Sequence, residues 1–363
     1  MSFLGRLSPL APWNLLQTLD EVRQLRTVRT KSTEVRRKAR VLAKHVDALT
    51  KQTKALTTEM EDNRQTLAKL GTLVNQSRTA YQSDARRPSA RRDRGLKRIS
   101  DATTASHVRA AVAAAPLESD PCPYIVLEQL LPDDAYDELV AAIPPPLFFE
   151  HLASKRQDLK IPLPFAPRRH REIWLAFQTH IVANGLIPAL SDKFRHGLDT
   201  WVRTNWPGLG SMADAGIRLH PLHSRIMRRR PGYEIKPHRD PKWAFMTCIL
   251  YLTKRDDAQL YGTQLCRLRH ERESPSHSPF WVDENDVETV TEVPGRPNSA
   301  VVFLNSTGVH RASIPADAPP ETDRYIVQLQ LGPEQSVRDA LVKRLPPEQA
   351  RRWSTKGSDT IFK

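Results

Sequence analysis

At 363 residues, with 39% hydrophobic residues and a net charge of +14, the chain exceeds one average domain and holds enough apolar material for a core. Its three cysteines, Cys122, Cys248 and Cys266, form no CxxC or other metal spacing, which argues against a disulfide framework and fits a reducing cytoplasm. Residues 1–116 carry 23 Lys+Arg against 10 Asp+Glu, whereas residues 117–363 carry 32 against 31, so nearly all of the excess positive charge lies in the first third.

Residues 1–24 read as a leader. "MSFLGRLSPLAPWNLL" lacks the basic start and long apolar centre of a secretory signal, and no stretch of the chain approaches the length of a membrane span. Phe3, Leu4, Leu7, Leu10 and Trp13 suit a disordered or partner-packed segment, with contact to a membrane surface as the alternative.

Residues 25–81 carry heptads. Val28, Val35, Leu42, Leu49, Leu56, Asn63 and Leu70 fall at one core position; Ala39, Val46, Thr53, Met60, Leu67 and Val74 fall at the other. With neither Pro nor an interior Gly before Gly71, the pattern predicts a long coiled coil. An Asn at one core position selects a paired, two-stranded state, so the expected partner is a second copy of the chain. The Lys and Arg residues around the seam read as a solvated face. An anionic surface, nucleic acid or membrane, is the alternative, with "RRPSARRDRGLKR" as its best support.

Residues 82–119, rich in Ser, Ala, Arg and Thr, read as a basic linker. At "PCPYIVLEQLLPDDAYDELVAAIPPP" the composition changes to a short apolar strand, a helix opened by Pro132 and acidic residues, and a triple proline. A globular domain spans 120–333 and a helical tail 334–363. Residues 169–206 read as mainly helical, with Ile173, Leu175, Phe177, Ile181, Ile187, Leu190, Phe194, Leu198 and Trp201 spaced for a buried face. Strand-like runs follow: "GIRLHPLHSRIMRR", "FMTCILYL", "SAVVFLN" and "RYIVQLQL". Helices first and strands afterwards predict an α+β fold, a β-sandwich or barrel with a helical layer against it.

"HRD" stands just ahead of the apolar run that ends in "FMTCILYL", and residues two apart on a strand point the same way. His238 and Asp240 can therefore grip one ion together. His310 follows a second apolar strand and Arg324 opens a third. Two histidines and one carboxylate form the ligand set of a mononuclear non-haem Fe(II) site, with coordination positions left open.

With HxD, a distal His and a downstream Arg, the chain from about 120 to 333 resembles the 2-oxoglutarate and Fe(II)-dependent oxygenases, in particular their prolyl 4-hydroxylase-like branch. "PYIVLEQLLPDDAYDEL", Gly232 six residues before His238, and "FLNSTGVHRA" are similar to that branch as well. The resemblance implies a double-stranded β-helix (jelly roll) with iron held by His238, Asp240 and His310 at its open end. It also implies 2-oxoglutarate and O2 as cosubstrates, with ascorbate as an optional addition, and a dioxygenase that hydroxylates a protein side chain, sugar or lipid intermediate while releasing succinate and CO2. Where the branch often carries Tyr three residues before the first ligand, this chain has Ile235, with Tyr233 and Tyr251 as candidate replacements. The basic residue for the far carboxylate of 2-oxoglutarate is Arg324, with Arg311 as its rival. The readings that compete with an enzyme are a barrel that binds ligand without turnover and a nucleic-acid or membrane adaptor dimerised by the coil. Residues 267–298 read as an insertion beside the iron mouth, with Phe280 and Trp281 available to cover substrate. The triple arginine Arg228, Arg229 and Arg230 reads as a charged guard on an exposed strand edge, with contact to an acidic substrate as the alternative.

Overall fold

The structure, a computed structural model, describes residues 21–23, 26, 34–38, 40–61, 63–64, 71, 89–153, 155–161, 163, 166–255, 260–270, 280–305 and 307–353. The chain divides into two units, Met1–Val74 and Asn75–Lys363. In the first, residues 40–61 form a continuous helix (α1) on which Leu42, Val46, Leu49, Leu56 and Met60 are all exposed. Residues 1–20 and 24 of the leader and the seam residues Val28, Ala39, Leu67, Leu70 and Val74 lie outside the described residues.

The second unit begins earlier than its composition suggests. Residues expected as linker form two helices, α2 (Ser89–Ser100) and α3 (Ala102–Ala114). Asp101 starts α3 by accepting the Thr103 backbone N–H at 2.9 Å, one of the donors a helix start leaves open. Ile99, Val108 and Val112 are fully buried in the main core. Few large apolar residues are present, but each is placed on the packed side, and that suffices to dock helices otherwise made of Ala, Ser and Arg.

After β1 (Tyr124–Leu127) come α4 (Asp133–Ala141), β2 (Glu150–Ala153), β3 (Arg156–Lys160), α5 (Arg168–Ala176), a π-type stretch at Phe177–Leu186, α6 (Ile187–Lys193) and α7 (Arg195–Asn205). Pro132 precedes α4, and Asp133 and Asp134 in its first turn complement the helix dipole. The continuous helix Arg168–Lys193 is long and apolar enough to cross a membrane, which corrects the expectation that no stretch approaches a span. Half of its most apolar window is buried, and Ile173, Trp174, Phe177, Ile181 and Val182 pack into the core, as in a core helix.

The remaining strands are β4 (His220–Arg229), β5 (Glu234–Arg239), β6 (Met246–Tyr251), β7 (Thr263–Leu268), β8 (Phe280–Trp281), β9 (Val287–Val293), β10 (Ala300–Leu304), β11 (Val309–Ser313) and β12 (Arg324–Gly332). They build a seven-stranded sheet, β1-β10-β6-β12-β4-β3-β2, and a five-stranded sheet, β8-β5-β11-β7-β9. From β4 onward the barrel strands divide between the two sheets so that the chain passes back and forth, the winding of a double-stranded β-helix. Their pairings within each sheet are antiparallel.

Side chains on the larger sheet alternate between two cores. Cys248, Leu250, Val302, Val327 and Leu329 face the helices, while Ile249, Tyr251, Val301, Phe303 and Ile326 face the barrel interior with Leu265 and Val293 of the smaller sheet. Residues 267–298 are thus mostly framework: β9 is a full barrel strand on β7, and β8 pairs with β5. Arg228–Arg230 do not guard an edge either, because β4 lies between β12 and β3. The tail forms α8 (Gln335–Val342) and α9 (Pro347–Arg352), followed by Trp353, whose ring sits 4.5 Å from Trp206 and 4.7 Å from Trp243.

Candidate metal centre

His238 is the penultimate residue of β5 and His310 the second of β11, and the two are direct cross-strand partners with ring centroids 4.2 Å apart. Asp240 follows β5 on the same side as His238, its Oδ1 3.8 Å from His238 Nε2. All three side chains are buried, and one ligand atom from each lies within 4.8 Å of the others. Among the described residues they form the one such group. His220 is instead at 3.1 Å from Glu334, and His270 is exposed.

Each donor is prepared in a way its neighbours explain. His238 Nδ1 lies 2.8 Å from the Lys236 carbonyl oxygen, which can only accept, so Nδ1 carries the proton and Nε2 keeps its lone pair. Burial pushes the His310 imidazole down to about 3, helped by His238, and burial lowers His238 as well, so both rings are neutral. Burial opposes the charged form of Asp240, yet its carboxyl is held below the ordinary range by the attraction of whichever neighbouring imidazole, His310 or His238, takes up a proton, and by the Thr247 hydroxyl and the Gln330 amide, whose pull persists when both rings are neutral. Thr247 Oγ1 donates to Asp240 Oδ2 at 2.5 Å, and Asn305 Nδ2 donates to Thr247 Oγ1 and to the Ala244 carbonyl, both at 2.7 Å. This chain of bonds fixes the carboxylate in one orientation.

Two neutral imidazoles and one carboxylate meeting at a point suit a divalent metal with open positions. His310 Nδ1 is buried without a hydrogen-bond partner, a costly state for a polar atom that a metal ion would relieve if it bound there. The residues present fit the group.

Arg324 opens β12 on the inward face. It is 7% exposed, and its Nε and Nη2 donate to the carbonyl oxygens of Tyr261 at 2.7 Å and Gly262 at 2.8 Å, with Thr263 Oγ1 at 3.4 Å. No carboxylate pairs with it among the described residues. Its guanidinium lies 5.6 Å from the centre of the Tyr251 ring, and the Tyr251 hydroxyl donates to Thr263 Oγ1 at 2.9 Å. Tyr233, by contrast, lies under Arg229 at 4.9 Å. Arg311 points outward, as the neighbour of an inward histidine must on a strand, and donates to Gln264 at 2.7 Å and Thr289 at 3.0 Å. Phe280 and Trp281 pair with Arg239 and His238 respectively; the Trp281 ring is 5.0 Å from the His238 ring and 55% exposed.

Sequence reasoning missed Thr247 and Asn305. The signal for Thr247 was a small hydroxyl residue at an inward position of the largely apolar "MTCILY".

No family profile matches the sequence, and no curated protein matches it. Solved structures do. A Trichoplax adhaerens prolyl hydroxylase in complex with a hypoxia inducible factor oxygen degradation domain peptide is 11% identical, covering 75% of this chain and 99% of its own at a TM-score of 0.38. HygX from Streptomyces hygroscopicus, with nickel and 2-oxoglutarate bound, is 10% identical over 58% of this chain and 83% of its own, with a TM-score of 0.37. A Pseudomonas putida prolyl-4-hydroxylase is 14% identical over 62% and 99%, with a TM-score of 0.31. These likenesses are remote in sequence and in shape, and the functional reading rests on the geometry of the site.

Proposed function

We propose that the protein is an Fe(II)- and 2-oxoglutarate-dependent dioxygenase that hydroxylates a substrate C–H bond. The observation that carries this reading is a buried His238–Asp240–His310 cluster in the same barrel interior as Arg324, a buried guanidinium with no carboxylate of its own. When bound, Fe(II) supplies an oxidising centre, and the balanced reaction converts R–H, 2-oxoglutarate and O2 into R–OH, succinate and CO2.

His238, Asp240 and His310 would hold the metal, His238 through Nε2 because Nδ1 is committed to the Lys236 carbonyl. Thr247 and Asn305 keep the Asp240 carboxylate from rotating. Arg324 would receive the far carboxylate of the cosubstrate, with the Tyr251 and Thr263 hydroxyls beside it taking the place of the tyrosine that Ile235 replaces. A planar guanidinium presents two parallel donors to a carboxylate, which a lysine cannot. Ile249, Leu265, Phe303 and Ile326 make the interior apolar and keep bulk water out. Trp281, exposed beside His238, forms a wall on the side where substrate would enter.

The first unit supplies a coiled-coil homodimer in this reading, and the three buried, unbridged cysteines support a reducing compartment. The test is mass-spectrometric detection of succinate formed from 2-oxoglutarate by the purified chain with Fe(II). Succinate should appear and should be lost in His238→Ala; a wild-type protein that binds metal and 2-oxoglutarate yet never forms succinate, with any candidate extract, would instead be a ligand-binding barrel.

A further inference from the structure

Asp240 stands at the base of a short loop, Pro241 to Phe245, that leads into β6. Its carboxylate reaches across that base to the Thr247 hydroxyl on the far side, so the shape of the loop sets where Asp240 lies relative to His238 and His310. The loop is anchored in two places. Asn305 holds the far half: its backbone N–H donates to the Phe245 carbonyl at 3.0 Å and its Nδ2 to the Ala244 carbonyl at 2.7 Å. The near half, Lys242 and Trp243, lies against Trp353, just past α9. The Trp243 indole N–H donates to the Trp353 carbonyl at 3.1 Å, the two rings meet edge to face at 4.7 Å, and Lys242 Nζ lies 5.1 Å over the Trp353 ring.

Trp353 is itself held from behind. Its backbone N–H donates to the Ala350 carbonyl at 3.1 Å, and its ring packs 4.5 Å from Trp206 and 6.0 Å from Trp201 at the end of α7. Trp206 also stacks on Trp243, with centroids 5.9 Å apart and planes 30° from parallel. Trp206, Trp243 and Trp353 are all buried, so three rings close a triangle that joins α7, the loop and α9. Aromatic pairs at these separations contribute beyond the area they bury. On the sheet side, Gly332 of β12 approaches the Trp243 carbonyl so closely that a Cβ there would overlap it, which bounds the loop in that direction.

We propose that α9 and Trp353 act as a clasp on this loop, with Trp353 a positioning residue that sets the metal affinity of Asp240 without touching it. The proposal deepens the oxygenase reading and rests on it only for the metal that Asp240 would hold. Asn305 and Trp353 divide the work: one fixes the half of the loop that enters β6, the other the half that leaves Asp240. A ligand is only as well placed as the groups behind it.

The experiment uses the full chain. In the metal-free protein, hydrogen exchange read by mass spectrometry should show the amides of residues 242–245 exchanging about tenfold faster in Trp353→Ala than in the parent, the scale of the aromatic contacts removed, while β5 keeps its rate. Mn(II), titrated calorimetrically, should bind Trp353→Ala about tenfold more weakly, as for other partners behind a ligand. By linkage, Mn(II) should slow exchange at α9 in the parent protein. Val112→Ala, a buried change in α3, should lower the melting temperature yet leave both the loop and Mn(II) affinity as they are, which separates a clasp from general stability. Trp243→Phe keeps a ring and removes the donor to the Trp353 carbonyl, so it should loosen the loop by about threefold, and it carries the test if Trp353→Ala does not fold. Parent-like exchange at 242–245 or parent-like Mn(II) affinity in the folded variant would overturn the clasp, as would an equal loss in Val112→Ala. A parent protein that binds no Mn(II), but whose loop loosens in Trp353→Ala, would keep the clasp on the loop and retire the metal and the oxygenase reading with it.

Discussion

Arg229 of β4 and Arg324 of β12 are direct cross-strand partners, so two guanidinium groups stand side by side within one barrel wall. Their surroundings differ. Arg229 has the Asp158 carboxylate at 2.7 Å, whereas Arg324 has only carbonyl and hydroxyl oxygens, which orient it without neutralising it. One charge is structural and the other awaits a counter-ion. Arg324→Ala should therefore raise the apparent 2-oxoglutarate constant by at least about tenfold, the scale of a truncated hydrogen-bonded charge pair, while metal binding persists. Arg311→Ala should leave the constant unchanged, because its partners Gln264 and Thr289 lie on the outer face. Cosubstrate titration of both variants checks the ranking, and the reverse order would move the role to Arg311.

In the proposed site Thr247 would act on a bound metal only through Asp240, to which its hydroxyl donates. Thr247→Val keeps the shape of the side chain but removes the donor to Asp240 Oδ2 and the acceptor for Asn305. Metal affinity should fall by roughly 10- to 100-fold, the usual effect of losing a partner behind a ligand. Direct Mn(II) titration reads it without turnover; unchanged affinity would show that Asp240 needs no such brace.

Acid should unfold the metal-free protein through its buried histidines. Burial holds His310 at about 3 and His223 at about 4, and lowers His238, whereas each takes its ordinary value of about 6.5 in the unfolded chain. Between those limits the unfolded state binds more protons, so stability is complete above about 6.5 and falls as pH drops toward about 4. Melting temperature should follow that course, and His223→Gln should flatten part of it. A melting curve that is level from pH 7 to 4 in both proteins would contradict the neutral, buried state of these rings.

The grouping of His238, Asp240 and His310 was legible because chemistry and strand period coincide there. His238 and Asp240 break into polarity just before β6, a strand buried at every position, and nothing in a core explains them without a partner. The same logic distinguishes His310 from Arg311 only after register is known: the two are adjacent, and one must point in and the other out. Helices α2 and α3 were hidden because their contact with the core runs through a few residues, Ile99, Val108 and Val112 among them, within an Ala- and Arg-rich composition that also describes a linker. Strand β9 was hidden because only Val287 and Val293 are buried in it, its centre being polar and partly wet. "RIMRRR" offered a guarded edge or contact with an acidic substrate, but not the pairing of Arg225 and Arg229 with Asp158, since that carboxylate comes from β3, more than sixty residues earlier.

The first unit carries the remaining prediction. On α1 and the residues before it, Val35, Leu42, Val46, Leu49, Leu56 and Met60 are between 55% and 72% exposed, a continuous apolar seam that a lone helix would leave in water. The heptad spacing of that seam matches a second copy of itself, and Asn63 at one core position favours two strands over three. The full chain should therefore run as a dimer by light scattering at micromolar concentration. Asn63→Leu should raise the melting temperature of the coil while admitting higher oligomers, because it exchanges a buried amide for an apolar contact that fits several states equally well. Removal of residues 1–74 should leave a folded monomer that still binds metal, whereas a cut at residue 110 should unfold it by stripping Ile99 and Val108 from the core. A full-length chain that scatters as a monomer would remove the dimer and leave the exposed seam to a different partner.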